Sequence, residues 1–308
     1  MSNKPTVQKT CRGYRPIPDS GEEFCFMGDS ERELSSRSDE ELGIAAAAAQ
    51  ALAYQYVQLE VADNVAWLTM NRPPYNVLTA DMMLEMARAI DSLREERSVR
   101  VIVLQAAPEC TAFSAGVAVE DSRPERAFQT LEAMQSVFNN FLETSKPVIT
   151  VINGAAMGGG CELAALGDII VATPKARFAQ PEVRLGLFPP LAAVILPHVI
   201  GHKRALEMIF TGELLSATEA LRLGLVSRVV PEEKLAEEVK AILGKITDQS
   251  APVLEMAKRV LYDTIGMPLD GALKKSVDIY LNQLMELDDA QEGLRAAIEK
   301  RKPVWKNR

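Results

Sequence analysis

From residue 57 to about 200 the chain alternates short β-branched runs with stretches whose apolar residues recur at helical spacing, the pattern of strands interleaved with helices. Residues 57–61 and 65–70 read as two strands meeting at the turn-prone pair Asp63-Asn64, and Thr79 is placed to cap a helix that runs to Leu93. Further strands are predicted at 101–105, 148–152 and 169–172, and a helix at 126–144. Beyond about residue 205 the pattern is nearly all helical, with segments at 216–223, 232–247, 252–264, 269–287 and 289–300. Residues 43–56 read as a helix leading into the first strand. The first 43 residues are polar, charged and interrupted by Pro5, Pro16 and Pro18, which predicts a flexible extension or one draped over the domain. The expected organisation is thus an α/β chain with an extension at 1–43, a strand-and-helix core at 44–204 and a helical C-terminal region at 205–308. No repeat period stands out.

One junction in the core carries chemistry. The run Lys146-Pro-Val-Ile-Thr-Val-Ile-Asn153 fits a buried strand, Gly154 breaks it, and Gly158-Gly159-Gly160 then opens into a helix-forming stretch. Main-chain N–H groups at such a helix start are unpaired and attract negative charge, and glycine lets a ligand approach them closely. A phosphate loop would need Lys-Ser/Thr after the last glycine, where Cys161-Glu162 stands instead, and the spacing is not that of a dinucleotide fold. Taken alone, Glu162 reads first as a carboxylate balancing the helix dipole and only second as a reactive group beside the bend.

Composition narrows the function classes. The 308 residues are 47% hydrophobic, enough for a sizeable core, and the net charge of −8 with a pI near 5.1 gives no footing for nucleic-acid binding. Four scattered cysteines, Cys11, Cys25, Cys110 and Cys161, match no metal pattern and suggest reduced thiols; Cys161 reads as a packing residue. His198 and His202 have the i, i+4 spacing of a helical metal pair but lack the accompanying glutamate, so no metal is expected. The longest apolar stretch, 185–200, is broken by Pro189, Pro190 and Pro197 short of the roughly 20 residues a membrane span needs. No apolar signal core follows the basic residues near the N-terminus, and a transit peptide has weak support. A cytoplasmic enzyme is expected.

A second informative stretch, Ala176-Arg-Phe-Ala-Gln-Pro-Glu-Val-Arg-Leu-Gly-Leu-Phe-Pro-Pro190, carries Glu182. With Asn71-Arg72-Pro73, Ala112-Phe113-Ser114-Ala115-Gly116-Val117, Glu292-Gly293 and Glu299-Lys300-Arg301-Lys302, all in order, the chain from about residue 56 onward resembles the enoyl-CoA hydratase/isomerase (crotonase) superfamily. The resemblance implies a crotonase-like spiral of β-β-α turns with a C-terminal helical region that mediates trimers, two of which stack into a hexamer. It implies an acyl-CoA thioester as substrate, with CoA part of that substrate and no separate cofactor. It assigns the N–H groups of Val117 and Gly159 to an oxyanion hole and Glu162 and Glu182 to acid–base work on water. Against the CoA ester it places Ala115, Val117, Ala118 and Val119. Lys300 either reaches the CoA phosphates or, with Arg301 and Lys302, balances a helix C-terminus.

Departures refine the reading. Ala118 stands where many relatives have aspartate, and the lysine often found in the loop after Asn71-Arg72-Pro73 is absent, with Pro74 nearby. After Glu182, a glycine-rich segment usual in hydratases is replaced by Phe188-Pro-Pro-Leu-Ala-Ala-Val-Ile-Leu-Pro197, which predicts apolar bulk and a rigid cavity beside the acyl group. That phrase and Arg72-Pro-Pro-Tyr-Asn-Val-Leu78 resemble the cyclohexa-1,5-diene-1-carbonyl-CoA hydratase branch, which acts in aromatic compound degradation. Since both glutamates are present, hydration ranks above isomerisation or decarboxylation on the same scaffold, and above a CoA-binding assembly protein without turnover.

Overall fold

The computed structural model describes residues 54–308, so the expected extension at 1–43 and most of the expected helix at 43–56 lie outside the described residues. Strands β1 (Val57–Ala62) and β2 (Val65–Met70) form an antiparallel hairpin. Asp63 and Asn64 both take positive φ, 51° and 65°, which is what a two-residue turn between twisted strands requires. Helix α1 (Ala80–Ser92) follows, its N-terminus capped by the Thr79 hydroxyl accepting from the Met82 N–H at 3.4 Å.

Next come β3 (Val101–Ala106), β4 (Ala112–Ser114), α2 (Pro124–Glu143), β5 (Val148–Ile152), β6 (Ala155–Met157), α3 (Gly159–Ala164), β7 (Ile169–Ala172) and β8 (Arg177–Ala179). Each pass adds one strand to each of two sheets. The first sheet runs β1-β2-β3-β5-β7 and ends on a later strand, β10 (Arg228–Val229); the second runs β4-β6-β8 and ends on β9 (Leu215–Ser216). From β2 onward the first sheet is parallel, and in the second only β9 is antiparallel. This is the expected spiral of β-β-α turns. The three-residue strands β4, β6 and β8 escaped sequence reading because they are too short to show a period.

Both faces of the first sheet are covered, which is why its strands read as continuous apolar runs. Ile102, Leu104, Val148, Ile152 and Ile170 pack in the main core with Met82, Met86, Met134 and Phe138 of α1 and α2. Alternate residues, Val101, Val103, Ile149 and Val171, pack on the other side with Val239, Ile242 and Leu243.

Helices α4 (Ala192–Ile200), α5 (His202–Thr211) and α6 (Ala217–Leu223) lead to the C-terminal helices α7 (Leu235–Thr247), α8 (Ala251–Thr264), α9 (Leu269–Asn282) and α10 (Asp288–Glu299). The helix expected over 269–287 is therefore shorter. It stops at Asn282, a 3₁₀ turn covers Leu284–Glu286, and Leu287 is extended. Propensity alone would carry the helix through Leu284-Met-Glu-Leu287. Tertiary contacts override it: the buried Asp289 carboxylate accepts the Lys306 and Asn307 N–H groups at 2.6 and 2.9 Å, folding the chain end back onto the start of α10. His198 and His202 fall on two helices separated by Gly201 at φ 77°, so they do not share a helical face.

Candidate active site

Two backbone segments meet where the neighbouring strands β4 and β6 of the second sheet end. The first is the turn after β4. Its amides are consumed one by one: Ala115 N–H donates to the Tyr75 carbonyl (2.9 Å), Gly116 N–H to the Ser114 hydroxyl (3.1 Å) and Ala118 N–H to the Leu78 carbonyl (3.3 Å). The Leu78 N–H in turn donates to the Gly116 carbonyl at 2.9 Å, stapling this turn to residues 75–78. Among the described residues the Val117 N–H has no acceptor.

The second segment is the glycine bend between β6 and α3. Gly158 takes φ 50°, ψ −124°, a conformation that L side chains rarely adopt, and its N–H donates to the Ala179 carbonyl at 2.8 Å. Its carbonyl accepts the N–H groups of Cys161 (2.8 Å) and Glu162 (2.9 Å), which starts the helix. The Gly159 N–H, like that of Val117, has no acceptor among the described residues. The two segments touch: a Cβ on Gly116 would lie 2.6 Å from the Met157 carbonyl oxygen and 3.4 Å from the Gly159 nitrogen. Only glycine at 116 permits that approach.

Both glutamates stand at this bend. Glu162, in the first turn of α3, is 2% exposed. Its Oε1 accepts N–H groups from Leu191 (3.1 Å) and Ala192 (2.7 Å), the start of α4. Burial pushes its pKa up to about 7; the two amides oppose that shift and the nearby Glu182 charge adds to it. Glu182 lies in the 3₁₀ turn Pro181–Leu185, with its carboxylate against the Gly158 Cα, in the space a side chain at 158 would need. Burial raises its pKa as well, and its Oε2 is enclosed without a hydrogen-bond partner. Burial and the neighbouring charge thus both work against ionising Glu162 while Glu182 is ionised. Cys161, next to Glu162 in the chain, is fully buried in the core; burial and both carboxylates push its thiol far up, which agrees with the packing role.

The segment after Glu182 departs from expectation. Leu191, Ala192, Ile195 and Leu196 pack on the core, but Phe188 and Val194 are 68% and 65% exposed. The contribution that sequence reasoning missed comes from the backbone: the Leu191 and Ala192 amides anchor Glu162, and main-chain donors leave no mark in residue type. Ala115, Val117, Ala118 and Val119 all lie on the first segment or in the 3₁₀ turn that follows it. Lys300 is elsewhere in the fold. It caps α10 in a left-handed conformation, exposed, with no hydrogen bond or ion pair to these residues among the described residues. Nor do the described residues include a group of three His, Cys, Asp or Glu that could hold a metal. No helix among them is long and apolar enough to cross a membrane.

Comparison with known proteins agrees with this architecture. The model of the enoyl-CoA hydratase/isomerase family matches residues 60–308. A probable enoyl-CoA hydratase of Rhizobium meliloti is 33% identical over 266 residues, covering 83% of this chain and 100% of that protein. The cyclohexa-1,5-dienecarbonyl-CoA hydratase of Thauera aromatica is 32% identical over 252 residues, covering 82% and 96%. The crystal structure of human enoyl-CoA hydratase domain-containing protein 3 superposes with a TM-score of 0.77 at 33% identity, covering 82% of this chain and 100% of that one.

Proposed function

Since the chain belongs to the enoyl-CoA hydratase/isomerase family, we propose that it adds water across the conjugated double bond of an enoyl-CoA thioester. The observation that carries the reading is the pairing of Glu162 and Glu182 at one glycine bend with two unengaged amides beside them. The water oxygen bonds to the β-carbon as one carboxylate takes its proton. The π electrons move onto the thioester oxygen, held by the Val117 and Gly159 N–H groups. As the enolate collapses, the other carboxyl delivers its proton to the α-carbon, so the sum is one water added. Each oxyanion donor contributes roughly 3 to 4 kcal/mol to lowering the barrier, because it meets charge that develops only in the transition state.

The finer reading is a cyclic dienoyl thioester, cyclohexa-1,5-diene-1-carbonyl-CoA, hydrated in a 1,4 sense. It is supported by the Phe188–Pro197 phrase and by similarity to the Thauera protein of that name. In this reading Ala115, Ala118 and Val119 flank the CoA ester, and Lys300 of the same or a neighbouring subunit meets its phosphates. Assembly as a trimer or hexamer is supported by the exposed apolar side chains of α8 and α9, among them Leu261, Leu269, Leu273, Val277 and Leu281. A cytoplasmic setting accords with the unpaired thiols Cys110 and Cys161.

The test is incubation of the purified protein with crotonyl-CoA, cyclohexa-1,5-diene-1-carbonyl-CoA and a malonyl-type thioester, with products identified by mass spectrometry. Hydration supports the proposal, and faster turnover of the cyclic diene supports the finer reading. Double-bond migration, carbon dioxide release or no reaction at all would overturn it. Glu162→Gln and Glu182→Gln should each lower hydration by about 10²- to 10⁴-fold while thioester binding persists.

A further inference from the structure

Behind the Val117 amide lies a buried polar hub that the catalytic reading does not use. Asn76 is fully buried and holds φ 46°, a left-handed conformation that asparagine tolerates better than most residues. Its side-chain amide donates to the carbonyls of Phe113 (3.1 Å) and Met70 (3.4 Å). Its Oδ1 accepts the Arg72 N–H (2.8 Å) and the Cys110 thiol (3.3 Å). Its main-chain carbonyl accepts the Ser114 hydroxyl at 2.8 Å. That hydroxyl is also the acceptor for the Gly116 N–H, one residue before Val117. On its other side Ser114 packs against the glycine bend: a Cβ on Gly160 would lie 2.6 Å from the Ser114 carbonyl oxygen and 2.7 Å from its Cβ. One fully buried serine thus touches both backbone segments, and Asn76 fixes where it sits.

We infer that Ser114, held by Asn76, is a positioning residue that fixes the direction of the Val117 N–H relative to that of Gly159. The inference rests on the oxyanion-hole reading above. A preorganised donor lowers a barrier only if its direction is set before charge develops, and among the described residues the Val117 N–H has no hydrogen bond of its own to set it. Its orientation is inherited from Gly116, whose N–H is tied to Ser114 and whose carbonyl is tied to Leu78. Replacing Ser114 with alanine removes the first tie and leaves the Asn76 carbonyl without that donor. The ground-state thioester carbonyl needs little stabilisation, so binding should survive while turnover falls.

The experiment uses Ser114→Ala in the full chain, with cinnamoyl-CoA as a spectroscopic probe. The absorption of this conjugated thioester moves to longer wavelength when its carbonyl is polarised. The wild type should bind it with a red shift. Ser114→Ala should bind it with a dissociation constant within about threefold of wild type, show a smaller shift, and lose about 10- to 100-fold in kcat at nearly constant KM. If the alanine variant does not fold, Ser114→Cys, whose thiol is a poorer partner, should show the same losses in smaller degree. A variant with the full wild-type shift and kcat within twofold would overturn the role of Ser114 while leaving the oxyanion hole standing. A wild-type complex with no shift would overturn the oxyanion hole, and the role of Ser114 with it.

Discussion

Glu182 rests its carboxylate on the Cα of Gly158, and the carbonyl oxygen of that same glycine accepts the N–H of Glu162. A single residue therefore registers both carboxyls. Alanine at 158 would need a left-handed φ and would drive its methyl into the Glu182 carboxylate. Gly158→Ala should cost about 1 to 3 kcal/mol of stability and lower turnover by at least about 100-fold. Denaturant titration and steady-state hydration assays on the variant check this; an active, undisturbed variant would show that the contact is incidental.

The raised pKa of Glu162 has a consequence for stability. From its ordinary value of 4.5 to about 7, the folded protein holds a proton here that the unfolded chain has released. Stability from this group is complete below pH 4.5 and declines as pH rises to about 7, by about 3 kcal/mol in all. Glu182, also raised, adds in the same direction. Glu162→Gln keeps an acceptor for the Leu191 and Ala192 amides but has no charge to bury. It should be more stable than wild type at pH 8, with the difference shrinking toward pH 5, as measured by urea denaturation at both values.

The two influences on Glu162 can be separated by sign. Its neighbour Glu182 raises the pKa and the amides of Leu191 and Ala192 lower it. Carboxyl ¹³C NMR titration should therefore show the Glu162 midpoint falling in Glu182→Gln and rising in Leu191→Pro, which removes one donor. Equal midpoints in all three proteins would mean that the carboxyls do not sense each other.

Much of this site was legible in the letters, and the part that was not has a physical cause. Glu162 and Glu182 stand out because carboxyls beside glycine and proline breaks are local features, and the β-branched runs at 148–152 and 169–172 announce buried parallel strands. The strands that form the second sheet are two or three residues long and carry no period. The donors to Glu162 are main-chain groups, which any residue but proline supplies. Phe188, read as cavity wall, lies in the exposed stretch 184–188, while Ala192 and Leu196 of the same phrase are the residues that pack inward. The premature end of α9 reflects a long-range tie through Asp289, which no window of local sequence contains.

A last expectation concerns how the helical C-terminal region is fixed to the sheet. At the start of β7 the Asp168 Oδ2 accepts the Val148 N–H (2.7 Å) and the Lys258 ammonium (2.8 Å), while its Oδ1 accepts the Tyr262 hydroxyl (3.1 Å). Lys258 and Tyr262 are one turn apart on α8, so a single carboxylate clamps that helix to the edge of the spiral. The Lys258 side chain is 9% exposed, which spares the pair much of the screening that weakens surface salt bridges. Asp168→Ala should destabilise the protein by about 2 to 4 kcal/mol, since it leaves a shielded ammonium with the Lys146 carbonyl but no counter-charge, and a backbone N–H without its acceptor. Hydrogen exchange should speed up first along α8 and at the Val148 amide, whereas the remaining amides of β5 and those of β7 should exchange as slowly as in wild type. Uniform loss of protection across the sheet would indicate that Asp168 supports the strands rather than the docked helix.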